Sequence, residues 1–398
     1  MLAAPHAHDD AVCDLCRSRA LEPIYVPQGS TRGLSVLLCT YCGLVQSWPR
    51  ADRAVRARAA VSAGADWGNV RYGKSFRAKA AIEAFARHCD SHAALDVLDV
   101  GASRGAFARA FLEIAPNGRL TALEPDERVA DSCAGLARTT LVTKRIEDTA
   151  FAGESFDAVH SCHTIEHLAS PMATLADHWR LLKPGGILIL DAPNIAVIGS
   201  SDIVEEWFID KHLTHFSTVT LRAMLTASGF TPIAGPEPHD KTNLLFVARK
   251  RDVAARPVRH DPREAEWAAA HVAGYEAMRT SNLGALKTVA RELHGLGARK
   301  LAIWGAGRLF DSLVVHGGFD PAMLALLVDA HLKDHMRDRH GVALAAPEAI
   351  AACNPGIIVV MSRDFASEIA ARARALAPRA EIILYTELLA SAQRRAAA

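Results

Sequence analysis

The chain lacks any apolar run approaching the roughly 18 residues that a membrane-spanning helix needs. Its first residues, MLAAPHAHDD, also lack the basic segment and apolar core of a secretory leader. Both absences lead us to expect a cytoplasmic protein with no membrane partner. Net charge is nearly missing too: 45 Lys and Arg face 44 Asp and Glu, and no Lys/Arg tract stands out. With no field to attract a phosphate backbone, nucleic acid is not an expected partner. What is plentiful is length: 398 residues, against about 100–200 per domain, imply two or three domains.

Cysteine is scarce outside one pattern. The chain has 8, and in a reducing compartment these are expected as thiols or metal ligands rather than disulfides. Four stand in CDLC and CTYC: Cys13 and Cys16, then Cys39 and Cys42, with 22 residues between the pairs. That is a zinc spacing. Each pair aims two thiolates at one point, and two pairs close a tetrahedron with no position left for water. The implied ion is structural, replacing a core that about 50 residues could hardly build. Cys89, Cys133, Cys162 and Cys353 show no partner spacing and are expected as small core residues.

After Trp48 the chain turns Arg/Ala-rich, and the stretch from Trp67 to Arg77 should lead into a helix ending near His88. Then LDVLDVGASRGAFARAFLE presents a short apolar strand, a glycine turn and an amphipathic helix. Asp99 ends the strand, Gly101 allows the turn, and Gly105 lets the helix start close to whatever covers the loop. The next strand, RLTALEP, ends at Glu124, about 20 residues beyond the loop, where a carboxylate can accept both hydroxyls of a ribose. RIEDTAF is expected as the third strand, SFDAVHSCHTIEHL as a strand running into a polar loop, and LLKPGGILILDAPN as a helix stop, a turn and a strand, with DAPN a turn. Ser103 stands where a dinucleotide loop needs its second glycine, which argues against a nicotinamide-dependent oxidoreductase.

This series resembles the class I S-adenosylmethionine-dependent methyltransferases over roughly residues 70 to 250. The resemblance implies that Asp99, Gly101, Ser103 and Gly105 cradle the methionine part of the cofactor, that Glu124 holds the ribose, and that the adenine lies near Ile146 and Glu147. His163 would face the methyl group. Methyltransferases of this fold that act on base amino groups carry Asn/Asp-Pro-Pro-Tyr/Phe after the fourth strand; here that place reads SCHT.

Beyond Arg249, RKRDVAARPVRHDPREAEW reads as a charged linker with Pro257 and Pro262. A helix is expected next, from about Arg263 to Leu296, and KLAIWGAGRLFDSLVVHGG begins a second α/β unit. Gly305 and Gly307 are present, but Phe310 replaces the third glycine, and Asp329 ends the second strand of this unit. Two readings stay open for it: a packing and docking domain, or a pocket for part of a nucleotide-linked substrate. The expected fold class is α/β: an N-terminal four-cysteine zinc module (1–50), a central Rossmann-like class I methyltransferase domain (51–250), a linker and helix (251–298), and a smaller C-terminal Rossmann-like α/β domain (299–398).

Three parts in this order resemble the zinc-containing, three-domain sugar C-methyltransferases of nucleotide-linked ketosugars. In that family a Tyr-His-Glu-His-x-x-x-Phe-Ser stretch surrounds the reacting carbon. Laid on IDKHLTHFS, the Tyr becomes Ile209, the first His Asp210 and the Glu Lys211, while His212, Phe216 and Ser217 are kept. Ser217 and Gly229 read as the caps of the next helix. Methylating carbon requires a base and a group that stabilises an enolate oxygen. His212 could be that base if Asp210 orients it, with Lys211 as oxyanion partner. Methylating a hydroxyl needs one base, and His212, His163 or His167 would serve. His215 and the Glu166-His167 pair read as structural. The resemblance implies S-adenosylmethionine, a structural zinc ion, a nucleotide-linked sugar as small-molecule partner, and a monomer or homodimer. Its rivals are an O-methyltransferase of another small metabolite or glycan end, and a non-catalytic binding protein built on the cofactor fold.

Overall fold

The computed structural model describes residues 10–50, 75–126, 131–236, 240–251, 256–334, 336–363 and 365–396; the stretch around Trp67 lies outside them. Three strands open the chain: β1 (Leu21–Tyr25), β2 (Ser35–Cys39) and β3 (Val45–Trp48). They form an antiparallel meander. β2, SVLLC, is buried along its whole length, so this meander has an apolar centre of its own beside the cysteines. The knuckle spacing carries no sign of these strands.

The helix α1 (Ser75–His88) leads into β4 (Asp96–Val100), α2 (Ala106–Ile114), β5 (Arg119–Leu123), β6 (Thr139–Val142), β7 (Phe156–Cys162), α3 (Pro171–Leu181), β8 (Leu182–Pro193), β9 (Thr214–His215), α4 (Thr218–Ala227), β10 (Phe230–Ala234) and β11 (Asn243–Lys250). Seven of these strands make one sheet, ordered β10-β11-β8-β7-β4-β5-β6. β4 pairs in parallel with both β5 and β7, so the winding reverses at β4, and β11 returns antiparallel to β8. The near-continuous apolar run of β4 and β8 reflects burial on both faces. Phe85 of α1 packs edge-on against Phe111 of α2 at 5.3 Å between ring centres.

Two expectations are corrected here. The third strand is Thr139–Val142, whose β-branched residues pair with β5, while Ile146–Asp148 downstream is a single 3₁₀ turn. The DAPN stretch is not a turn: Asp191, Ala192 and Pro193 complete β8, all three paired with β11 and Asp191 with β7 as well.

The chain divides into two compact units. Among the described residues, one takes in the chain up to Ile198 together with Phe208–Ala273, and the other takes in Gly199–Trp207 and the chain from Gly274 onward. The long helix α5 (Pro262–Gly295) contributes residues to each. The second unit contains β12 (Leu301–Trp304), α6 (Arg308–Val315), β13 (Leu326–Val328), β14 (Asp338–Arg339), β15 (Val342–Ala345), α7 (Ala349–Cys353), β16 (Ile357–Val360), α8 (Ala366–Leu376), β17 (Glu381–Leu384) and α9 (Tyr385–Ala396). Its sheet is ordered β14-β15-β13-β12-β16-β17, parallel except for the β14–β15 pair, and its winding reverses at β12. No helix among the described residues is long and apolar enough to cross a membrane.

Candidate active site

In an open parallel sheet, ligands gather at the carboxyl ends of strands where the winding reverses, here between β4 and β7. The loop leaving β4 has three left-handed residues, Gly101 (φ 74°), Ser103 (φ 50°) and Gly105 (φ 72°). A Cβ on Gly101 would lie 2.2 Å from Thr164 Oγ1, so glycine is required twice over, by backbone hand and by space. The Gly101 and Ala102 N–H groups donate to the Leu123 carbonyl at 2.8 and 3.1 Å. The Glu124 carboxylate accepts from Ser103 N at 2.8 Å and from Asp126 N at 3.0 Å, bracing the loop from the end of β5. Asp99 is buried and lies 2.7 Å from His160 Nδ1, with the Phe107 ring stacked on His160 at 3.8 Å. Ile146 is buried in the turn after β6, with Glu147 beside it. No local sequence pattern marks His160.

Beyond β7 five titratable side chains meet: His163, Glu166, His167, Asp191 and His212. His163 sits at φ 46°, and its N–H donates to the Asp191 carbonyl at 2.8 Å. Its Nε2 lies 2.9 Å from Asn243 Oδ1. The Asn243 amide nitrogen donates to Asp240 Oδ2 at 3.1 Å and to Thr242 Oγ1 at 2.8 Å, which fixes Oδ1 as acceptor. In the neutral ring His163 Nε2 is therefore the donor, and Nδ1 carries the lone pair. His167 is fixed in the opposite sense, because its Nδ1 donates to the Lys211 carbonyl at 2.9 Å and leaves the lone pair on Nε2. Glu166, 1% exposed, places Oε1 3.7 Å from His163 Nδ1 and 3.6 Å from His167 Nε2. The His212 ring centre lies 4.9 Å from that of His167. Burial first, and the neighbouring His167, His215, Lys211 and His163 next, hold His212 well below the usual histidine range, so its ring is neutral at pH 7. Burial pushes the Asp191 carboxyl up to about 7, and its Oδ2 stands 4.0 Å from His163 Nε2. Asp191 and Asn243 are additions to the site that sequence reasoning misses. Asp191 lies in a stretch that imitates a turn, and Asn243 opens β11 with no local pattern.

The segment carrying His212 is held from several sides. Its neighbour Leu213 donates N–H to the Glu166 carbonyl at 2.7 Å and accepts from Ser47 N at 3.0 Å. β9 pairs antiparallel with β3, making it the fourth strand of the N-terminal sheet. His215 Nε2 lies 3.0 Å from Ser47 Oγ, and burial lowers that ring's pKa to about 3, so it serves as a neutral hydrogen-bonding group. Asp210 is used elsewhere than expected: its carboxylate accepts from Ser30 Oγ at 2.6 Å, Thr31 Oγ1 at 2.6 Å and Thr31 N at 3.0 Å. These residues lie between β1 and β2, a tie between stretches so distant in sequence that no local pattern announces it. Ser217 caps α4, accepting from Thr220 N at 3.1 Å.

The four N-terminal cysteines converge. Cys13 and Cys42 bring their sulfurs to 3.6 Å, Cys16 and Cys39 to 3.5 Å, and all four lie within 4.8 Å of one another. A tetrahedron with arms of about 2.3 Å has edges of about 3.8 Å, so these thiols can hold a metal ion. Asp14, inside the first pair, accepts from Ser170 Oγ at 2.6 Å and Met172 N at 2.9 Å and so joins the knuckle to the start of α3.

Residues 98–190 match the methyltransferase-domain family. The chain is 30% identical over 210 residues to an uncharacterized methyltransferase of Mycolicibacterium vanbaalenii, covering 49% of this chain and 76% of that protein. With three quarters of that relative covered, the chain belongs to the methyltransferase family. It is a class I S-adenosylmethionine-dependent methyltransferase. It is also 34% identical over 105 residues to a ubiquinone biosynthesis O-methyltransferase of Dinoroseobacter shibae, of whose length it spans 40%. Its fold is similar to that of the 1,6-didemethyltoxoflavin-N1-methyltransferase of Burkholderia thailandensis, solved with S-adenosylhomocysteine, at 22% identity and a TM-score of 0.42, covering 58% of this chain and 100% of that one.

The loop after β4 fits the cofactor that this family uses. Left-handed residues at Gly101, Ser103 and Gly105 make a concave run of backbone, and an acid stands at the end of the neighbouring β5.

Proposed function

We propose that this enzyme methylates a nucleotide-linked ketosugar at the carbon beside its ketone, with His163 taking the proton. The observation that carries this reading is the His163 tautomer: Nε2 is committed to Asn243, and the lone pair stays on Nδ1 at the strand end next to the glycine loop. Once protonated, that ring is stabilised by the Glu166 carboxylate, 3.7 Å from Nδ1. His212 is the weaker candidate, because Asp210, which should orient it, is bonded to Ser30 and Thr31. When bound, S-adenosylmethionine supplies a methyl group on a positively charged sulfur. Asp99, Gly101, Ser103, Gly105, Glu124, Ile146, Glu147 and His163 are the residues assigned to its site.

The sugar assignment rests on the resemblance to three-part sugar methyltransferases. We divide the chain accordingly into a zinc module (1–50), a methyltransferase domain (51–250), a linker and helix (251–298) and a Rossmann-like domain (299–398). Cys13, Cys16, Cys39 and Cys42 hold one structural zinc ion. Elemental analysis should find that ion in purified protein, and metal-free protein that is folded and active would end the assignment.

Transfer to a hydroxyl is the second reading. It is favoured by Ile209 and Lys211 standing where the sugar C-methyltransferase pattern has Tyr and Glu, and by the O-methyltransferase among the relatives. Solvent exchange separates the two. With S-adenosylhomocysteine replacing the donor, wild type should exchange the α-proton of a ketosugar for deuterium. His163→Gln should abolish that exchange and lower turnover at saturating cofactor by about 10²–10⁴ while melting temperature stays near wild type. Methyl transfer to a fully reduced sugar would refute the carbon reading.

A further inference from the structure

We propose that Glu166, His167 and His212 form a divalent-metal site that binds the ketone oxygen of the acceptor. One donor atom from each of the three lies within 4.8 Å of the others, and this is the second such group in the described chain, separate from the four cysteines. Two imidazoles and one carboxylate are a donor set for first-row transition ions that leaves positions open for other ligands.

Hydrogen bonding points the donors inward. His167 Nδ1 donates to the Lys211 carbonyl, so Nε2 must present its lone pair, and it does so 3.6 Å from Glu166 Oε1. A bond from the far ring nitrogen to a backbone carbonyl is the arrangement that orients metal-binding histidines. A direct N–H···O bond would bring the two atoms to about 2.7–3.2 Å. Tetrahedral ligands with arms of about 2.0–2.1 Å stand about 3.4 Å apart, a few tenths from the observed separation. The backbone holds the two donor-bearing segments together as well, through Leu213 N to the Glu166 carbonyl at 2.7 Å.

The site lies beside the cofactor loop, since Thr164, two residues before Glu166, packs on Gly101. The inference rests on the ketosugar reading for its chemical role, though not for its existence. An ion on the ketone oxygen supplies the oxyanion stabilisation that the Tyr and Glu of the sugar C-methyltransferases would otherwise give. The α-proton passes to His163 Nδ1 and leaves its electron pair on the enolate. That pair forms the new carbon–carbon bond to the methyl group as the methyl–sulfur bond breaks and its electrons return to sulfur.

The test uses Mn²⁺ as probe, followed by electron paramagnetic resonance on full-length protein, because manganese prefers nitrogen and oxygen donors to thiolates. Wild type should bind one Mn²⁺ per chain with nuclear coupling from histidine nitrogen. Glu166→Gln and His212→Ala should each weaken binding by more than about 100-fold, beyond the about 10–100-fold cost of losing an outer-shell partner. Equal S-adenosylhomocysteine affinity in the two variants shows that they fold. Undiminished Mn²⁺ binding in either folded variant, or no binding by wild type at millimolar Mn²⁺, would overturn the site. Should both variants misfold, binding without histidine-nitrogen coupling in wild type overturns it equally. Methyl transfer that persists after chelation, with the cysteine-bound ion retained, removes the proposed role but leaves the methyltransferase reading intact. Mn²⁺ binding with no methylation of any ketosugar does the reverse.

Discussion

At two places this chain builds the same thing: a strand, a glycine turn and a helix where the winding of a parallel sheet reverses, at β4 and at β12. Both turns are braced by an acid from the neighbouring strand, Glu124 on Ser103 N and Asp329 on Ala306 N at 3.1 Å. They part at the far end of the strand on the other side. After β7 come His163, Glu166 and His167, with the buried carboxyl of Asp191 pushed up to about 7. After β16 comes Arg363, whose guanidinium is clamped by Asp202 and by both oxygens of Glu205, at 2.7 and 3.0 Å. Burial works to raise those two carboxyls, yet Ser200 and Arg363 hold Asp202, and Arg363 holds Glu205, below the usual range. The second reversal point is electrostatically closed, and backbone fills it: a Cβ on Gly305 would lie 2.6 Å from the Met361 carbonyl. At both reversal points of this chain the glycine turn is a packing demand. Chemistry depends on the residues beyond the adjacent strand.

The comparison can be pressed first at the glycines. Gly305→Ala meets a backbone carbonyl at φ 115° and should cost about 2–5 kcal/mol in denaturant unfolding, with S-adenosylhomocysteine affinity unchanged in the folded fraction. Gly101→Ala meets a side chain, Thr164, rather than backbone, so it should cost less stability than Gly305→Ala and lose cofactor affinity as well. A cofactor defect in Gly305→Ala would erase the distinction.

Next comes the unneutralised acid. The Asp191 carboxyl rises from 3.8 to about 7 on folding, so the folded state binds the extra proton and stability falls as pH rises between these values. The full penalty, at most about 4 kcal/mol, is present above pH 7. Asp191→Asn should be more stable than wild type at pH 8, by a margin that shrinks toward pH 4. A pH-independent difference would mean that the carboxyl is not held neutral.

The bracing acids should separate more gently. Glu124→Ala should weaken cofactor binding by about 1.5–3 kcal/mol in calorimetry, whereas Asp329→Ala, which also strands His331 N and Leu332 N, should lower melting temperature alone. The smallest effect concerns the border that only the first reversal point has. Ser47→Ala removes the 3.0 Å contact to His215 and should cost about 1 kcal/mol, with a larger proportional loss of turnover than of cofactor affinity. Equal losses would make that border merely structural.

Local patterns in the sequence carry much of this. Short apolar runs mark β4, β5, β7 and β8, and the glycines with Glu124 mark the loop, because strand, turn and acid lie within about 25 residues of one another. The long α5 and the Ser217 cap are readable for the same reason. The hidden part depends on distant partners. Asp210 reaches Ser30 and Thr31, His163 takes its tautomer from Asn243, and Glu166 gains meaning only beside His212. β6 escapes sequence reasoning because TTLV is short and polar-flanked. The end of β8 escapes it because Pro and Asn in DAPN imitate a turn, while pairing with the distant β11 carries the strand through Pro193.

The pairing of β9 with β3 also sets an order of assembly. Ser47 and the His215 that it meets are 168 residues apart. At synthesis rates of about 5–20 residues per second, the edge of β3 waits on the order of 10–30 s for its last strand. During that interval it is an open edge able to pair with other chains. Crowded expression should therefore put the N-terminal sheet, rather than the larger methyltransferase sheet, at the centre of misassembly, and slower initiation should relieve it.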